Sequence, residues 1–398
     1  MTRYLHYLLS IIILIVLFTA CSKTGGVAST AGIPSGYSSL TSGPSSGSSS
    51  SNSGNGGTNN QPGVITAGEW NDINNWNYWL SLMDTAQWNA KQDYWKFYTK
   101  GIYSVHLTDT RGAAITDADV SLKDAHGNAV WTAKTDNSGK AELFPVLFTN
   151  ATPAIYSATA TVNGQYFVLG SFPSSNSIEK QLDLMANASG NVDVMYVVDA
   201  TGSMGDELSY LKTELEDVLV QSKNDLPGMT LRMGSVFYRD QGDEYLTKSS
   251  PFTTDVNTLI NFIKGQNANG GGDFPEAVHA ALQTAVEQQS WSSNAKARLL
   301  FLVLDAPPHH EDAVIQSIQS SIKLAAQKGI KIIPITASGI DKDTEFMMRF
   351  MAISTNGTYV FIINDSGIGN DHLSPTVGKY EVEFLNNLMV RLIKKYSK

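Results

Sequence analysis

A single cysteine, Cys21, stands among 398 residues. No disulfide can form within the chain, and no function can rest on an internal thiol pair. Basic residues are also scarce: 28 Lys and Arg face 37 Asp and Glu, a formal net charge of −9. That balance argues against a nucleic-acid partner, which needs a basic stripe. Residues 24–68 carry no charge at all and consist mainly of Ser, Gly, Asn and Thr. Such a segment buries too little apolar surface to offset its ordering entropy. A nucleophile and base at a defensible spacing are also missing, which weighs against a hydrolase.

What remains is ample for folding. Hydrophobic residues make up 42% of the chain, and the length suits two or three domains. Residues 1–21 read as a secretion signal: Arg3, an almost wholly apolar run from Leu8 to Phe18, then Thr19-Ala20-Cys21. The run is short for a span of about 20 residues, so cleavage is favoured over a retained membrane anchor. Small residues just before a cysteine resemble a bacterial lipoprotein cleavage site. The resemblance implies lipid on Cys21, an N-terminal membrane anchor and a place in the bacterial cell envelope, at the outer membrane or cell surface. Residues 22–68 then serve as a tether with an r.m.s. reach of about 35–40 Å.

Residues 69–100 hold five of the seven tryptophans: Trp70, Trp76, Trp79, Trp88 and Trp95. Trp76, Trp79, Leu80 and Met83 fall at helical spacing and predict a short helical segment packed onto the next domain. Residues 101–188 read as a small all-β sandwich. Ala118, Val120 and Leu122 alternate with polar residues, and turn signals recur at Arg111-Gly112, Gly127-Asn128 and Asn137-Ser138-Gly139. The run resembles the carboxypeptidase-regulatory-like or prealbumin-like modules of bacterial surface proteins, which implies a stalk.

From residue 192 to 398 strand and helix patterns alternate, predicting a mainly parallel sheet with right-handed crossovers. Val194-Met195-Tyr196-Val197-Val198 is apolar without alternation, as in a strand buried on both faces. It runs into Asp199-Ala200-Thr201-Gly202-Ser203-Met204. One carboxylate and two hydroxyls at alternate positions offer the oxygen ligands that a hard divalent cation takes. A second apolar run, Leu299 to Leu304, ends in Asp305. In an open α/β sheet the strand C-terminal ends share one face, so Asp199 and Asp305 should converge there.

This pattern resembles the metal-ion-dependent adhesion site of von Willebrand factor type A domains. The family's first motif is met by Asp199, Thr201 and Ser203, its second loop by Gly270-Gly271-Gly272-Asp273-Phe274-Pro275-Glu276, and its third by Asp305. The resemblance implies a doubly wound, Rossmann-like sheet of about six strands with one antiparallel edge. It also implies one divalent cation, Mg2+ first and Mn2+ or Ca2+ as alternates, held by Asp199, Thr201, Ser203, Asp273 and Asp305. A ligand rim would comprise Arg239, Asp240, Asp243, Glu276, His309 and His310. Asp273 stands where many members carry Thr, so three carboxylates around the ion would disfavour an acidic ligand group and retain the metal tightly.

The function expected is metal-dependent protein–protein recognition or adhesion by a lipid-anchored, non-enzymatic protein. The alternatives are a structural or assembly lipoprotein whose metal only fixes the loops, and, less favoured, a metal-dependent hydrolase.

Overall fold

The computed structural model describes residues 61–152, 154–186 and 189–398. The signal segment, Cys21 and most of the tether lie outside the described residues. Three elements come first: β1 (Thr66–Trp70), α1 (Trp76–Met83) and α2 (Ala86–Trp95). Seven short strands follow: β2 (Tyr103–Thr108), β3 (Asp119–Lys123), β4 (Ala129–Lys134), β5 (Lys140–Leu143), β6 (Ser157–Val162), β7 (Gln165–Ser171) and β8 (Ser177–Gln181). The alternating part runs β9 (Asn191–Asp199), α3 (Leu208–Asp225), β10 (Thr230–Tyr238), β11 (Thr247–Thr253), α4 (Val256–Lys264), α5 (Val278–Gln283) and β12 (Ala297–Leu304). It ends with α6 (Asp312–Lys328), β13 (Ile330–Thr336), α7 (Lys342–Ser354), β14 (Tyr359–Ile362), β15 (Val382–Phe384) and α8 (Leu385–Ser397).

Strands without polar alternation belong in the middle of a sheet, and β9 sits there. The main sheet has eight strands in the order β11-β10-β9-β12-β13-β14-β1-β15. β10, β9, β12, β13 and β14 are parallel, with Val197 of β9 opposite Val236 and Leu302 of its neighbours. Met195 and Val197 face one core, with α5, α6 and α7. Val194, Tyr196 and Val198 face the other, with α3, α4 and α8. The sheet is thus doubly wound, and both strand faces are dry.

Two expectations need correction. The sheet has eight strands and antiparallel pairing at both ends, β11 on β10 at one and β1 on both β14 and β15 at the other. β1 crosses the expected tether boundary at residue 68 and pairs Ala67 with Ile362 and Trp70 with Tyr359. Just ahead of it, the buried Glu214 carboxylate of α3 accepts the backbone N–H groups of Gly63, Val64 and Ile65 at 3.0–3.2 Å. Residues 382–384 form β15 on the outer side of β1.

The sandwich pairs a β5-β2-β8 sheet with a β4-β3-β6-β7 sheet. One continuous apolar core joins it to the α/β part: Val120, Leu122 and Trp131 belong to the same cluster as Ile318, Ile322 and Phe350. Charges also clamp the junction. Arg298 of β12 donates to both oxygens of Asp117 at 2.7 and 3.2 Å, and Lys331 of β13 meets Asp136 at 3.2 Å. The sandwich therefore packs against the α/β part, unlike the stalk that the module resemblance implied.

The Trp-rich segment packs, but its tryptophans meet α7 of the α/β part and not only the domain that follows in sequence. Trp79, Trp88 and Trp95 are buried, and Trp79 stacks on Phe346 of α7 at 6.0 Å between centroids. The guanidinium of Arg349 lies about 5 Å from the centroids of both Trp79 and Trp88, which meet edge to face. Arg349 has no exposed surface and donates to both oxygens of Asp72 at 2.9 and 2.6 Å and to the Thr376 carbonyl at 2.6 Å. Leu80, assigned to the same apolar stripe, is instead exposed.

Gly357, ahead of β14, is another fixed point. A methyl group there would run into the backbone carbonyl of Ile332. Gly357→Ala should destabilise the protein by about 1–3 kcal/mol, the usual cost of overpacking. Urea denaturation reads it, and an unchanged midpoint would mean that the β13–β14 seam yields freely.

Candidate metal centre

Three loops meet at the C-terminal end of the parallel strands, and backbone hydrogen bonds stitch them together. Gly202 N–H donates to the Gly270 carbonyl at 3.0 Å and Asn269 N–H to the Ala200 carbonyl at 3.0 Å, joining the β9 loop to the glycine loop. Glu276 N–H donates to the Pro307 carbonyl at 2.9 Å, joining the glycine loop to the β12 loop. Gly270 and Gly271 sit at φ +78° and +71°, a region closed to most side chains. The Gly271 N–H donates to Asp243 at 2.9 Å.

Within this frame Asp199 is fully buried. Its Oδ1 accepts the Thr201 N–H at 2.9 Å and the Thr201 hydroxyl at 2.7 Å, and Thr201 and Ser203 share a hydrogen bond at 3.2 Å. Ser203, Asp305, Asp273, Phe274 and Glu276 line one cavity of about 470 Å³. Oδ2 of Asp199, Oδ1 of Asp305 and Oε2 of Glu276 are buried with no well-formed hydrogen bond, and the buried Tyr238 hydroxyl lies beside Asp199 and works to lower its pKa.

Electrostatics explain what these oxygens lack. Burial, then the neighbouring Asp240, pushes Asp199 up to about 6. Burial, then Asp199, pushes Asp305 up to about 7, and the Ser203 hydroxyl works the other way. Glu276 goes furthest, to about 9, through burial followed by Asp199, Asp240, Asp305 and Asp243. Carboxylates that repel one another in a buried site are stabilised by a bound divalent cation, which reverses the local charge. Orphaned oxygens, two hydroxyls and no nitrogen or sulfur suit a hard ion. Asp199, Thr201, Ser203 and Asp305 would hold it, with Glu276 within reach.

The remaining expected residues divide. Asp273 lines the cavity, but its carboxylate gathers with Asp240 and His309. Glu276, expected on the rim, is only 3% exposed and faces the Asp199 group. Arg239 is also buried. It donates to the Ala200 carbonyl at 3.2 Å and the Asn267 carbonyl at 2.9 Å, so it braces two loops from beneath. Asp243 binds the Gly271 and Asp240 N–H groups. His310 turns away from the cavity, stacks on Tyr94 of α2 at 3.6 Å and meets the Tyr94 carbonyl.

One residue escaped the sequence reading. Glu207 reads as an ordinary acid at a helix start, yet it is buried. Its carboxylate accepts the Ser338 N–H at 3.1 Å and lies 2.9 Å from His372 Nε2. It thereby holds the 338–339 segment, which lines the cavity beside Asp305. Nothing local marks it, because both partners lie more than 130 residues away in sequence.

The fold and the three loops define a von Willebrand factor A domain, and the family model of that description matches residues 193–367. That segment of the chain is such a domain. The chain is 36% identical over 120 residues to a putative ariadne-like RING finger protein of Acanthamoeba polyphaga mimivirus, covering 30% of this chain and 11% of that protein. It is 23% identical over 175 residues to the alpha-protein kinase vwkA of Dictyostelium discoideum, covering 44% of this chain and 27% of that protein. The chain thus spans only a small part of the curated relatives it matches. Solved structures similar to it include an aerotolerance-related membrane protein from Bacteroides fragilis, at 16% identity and a TM-score of 0.34, covering 52% of this chain and 98% of that one. Another is the conserved hypothetical protein BatB from Bacteroides thetaiotaomicron, at 15% identity and a TM-score of 0.36, with the same coverage.

Proposed function

We propose that this chain is a lipid-anchored protein of the bacterial cell envelope that recognises a partner protein through a divalent cation, Mg2+ in the first instance. The observation that carries the reading is the set of orphaned carboxylate oxygens of Asp199 and Asp305 beside the Thr201 and Ser203 hydroxyls. Ser203 and Asp305 line a cavity that opens to solvent, and Phe274 stands 46% exposed at its lining. A cation held there keeps coordination positions for a ligand group, and Phe274 offers an apolar contact beside it. The hydroxyls bond to Asp199 and to each other and none bonds to a histidine. That arrangement supports binding over hydrolysis.

The test is capture on the immobilised full chain. Wild type should retain a partner from an envelope extract in Mg2+ and release it in EDTA, and Asp199→Ala should retain none. Retention that ignores EDTA, or that survives Asp199→Ala, would sink the reading. The anchor is checked separately: labelled fatty acid should enter wild type and be absent from Cys21→Ser.

A further inference from the structure

We propose that the chain holds a second cation site beside the first and different in kind. It is formed by His309 Nε2 with one carboxylate oxygen each from Asp240 and Asp273, and is suited to a borderline ion such as Zn2+. The three ligand atoms come from three loops and lie within 4.8 Å of one another. Metal–ligand distances of about 2.0–2.2 Å mean that small side-chain movements close such a group on one ion. His309 Nε2 and Asp240 Oδ1 already meet in a hydrogen bond of 2.8 Å, whose place an ion would take. Asp240 is buried at 5% exposure, whereas Asp273 is exposed.

A further group points to a ligand here. The Nδ1 of His279 is buried without a partner, in a ring on which the charges of His309 and Asp240 act. A donor set with imidazole nitrogen favours Zn2+ over Mg2+, whereas the all-oxygen Asp199 site favours the harder ion. Adjacent sites of different hardness can therefore be filled selectively. The second site stands on its own residues and does not depend on what the first one recognises.

The test is calorimetric titration of Zn2+ into the full chain, free of any affinity tag, in saturating Mg2+. Wild type should bind one equivalent, and Asp199→Ala should still bind it. His309→Gln and Asp273→Asn should each weaken the affinity about tenfold or more, given that even residues supporting a metal ligand cost that much. No Zn2+ uptake by wild type overturns the proposal. So does undiminished uptake by His309→Gln, which would mark an adventitious ion only. Asp273→Asn alters an exposed side chain and keeps the test decisive should His309→Gln misfold. An Asp199→Ala protein that loses its Mg2+ response while binding Zn2+ normally separates this site from the first.

Discussion

Arg349→Met should lower the unfolding free energy by about 3–5 kcal/mol, the usual cost of stranding one partner of a buried ion pair. Three groups lose the guanidinium at once. Glu345 keeps the Lys342 ammonium at 2.7 Å, and the Thr376 carbonyl loses a 2.6 Å donor. Asp72 fares worst: its side chain is 1% exposed, and it is left with the indole N–H of Trp70 at 2.9 Å. The volume of Met approximates the Arg stem beside Trp79 and Trp88, so the loss is electrostatic more than a matter of packing. Urea denaturation at neutral pH measures it. Adding Asp72→Asn should recover part of the loss, because it removes the uncompensated charge. A single-variant effect below about 1 kcal/mol would mean that water reaches Asp72, and that the Trp-rich segment is held by its aromatic contacts alone.

The second large effect concerns the ion. Mg2+ at about 100 times its Kd should add about 2.7 kcal/mol to the stability of wild type, read as an upward shift of Tm over the EDTA-treated protein. Asp305→Asn should abolish that gain. In EDTA the same variant should be at least as stable as wild type, because it removes one of three buried acids that repel one another. The opposite signs in EDTA and in Mg2+ are the signature of a site assembled for a cation at a cost to the free fold. Equal Mg2+ gains in both proteins would show that the ion sits elsewhere. A loss of stability in EDTA would show that Asp305 has a structural partner at its second oxygen.

Much of the α/β part was legible because its signals are local. The uninterrupted apolar runs before Asp199 and Asp305 mark strands dry on both faces. α6 begins at Asp312 and stops at Gly329 in the left-handed conformation, as its stripe of Ile315, Ile318 and Ile322 and its terminal glycine predict. The β11, β1 and β15 strands were not legible. β11 and β15 are edge strands and β1 lies between β14 and β15; their identity comes from pairing, and β1 finds β14 across almost 300 residues of chain. The site was partly legible in the same way. Asp199, Thr201, Ser203 and Asp305 follow from strand ends and a motif, but the roles of Glu276 and Glu207 do not. A carboxylate in a loop shows by itself neither its burial nor which charges will face it.

The sequence alone determined the strand ends, the hydroxyls spaced at alternate positions after Asp199 and the glycines that let a loop come close. Those features rest on residue-level preferences that act over a few positions. Only the tertiary structure decided that the sandwich shares a core with the α/β part, that His309 and His310 point to different neighbours, and that Glu276 turns inward. These depend on which distant surfaces exclude water together, and burial then sets the charge of each acid through its neighbours.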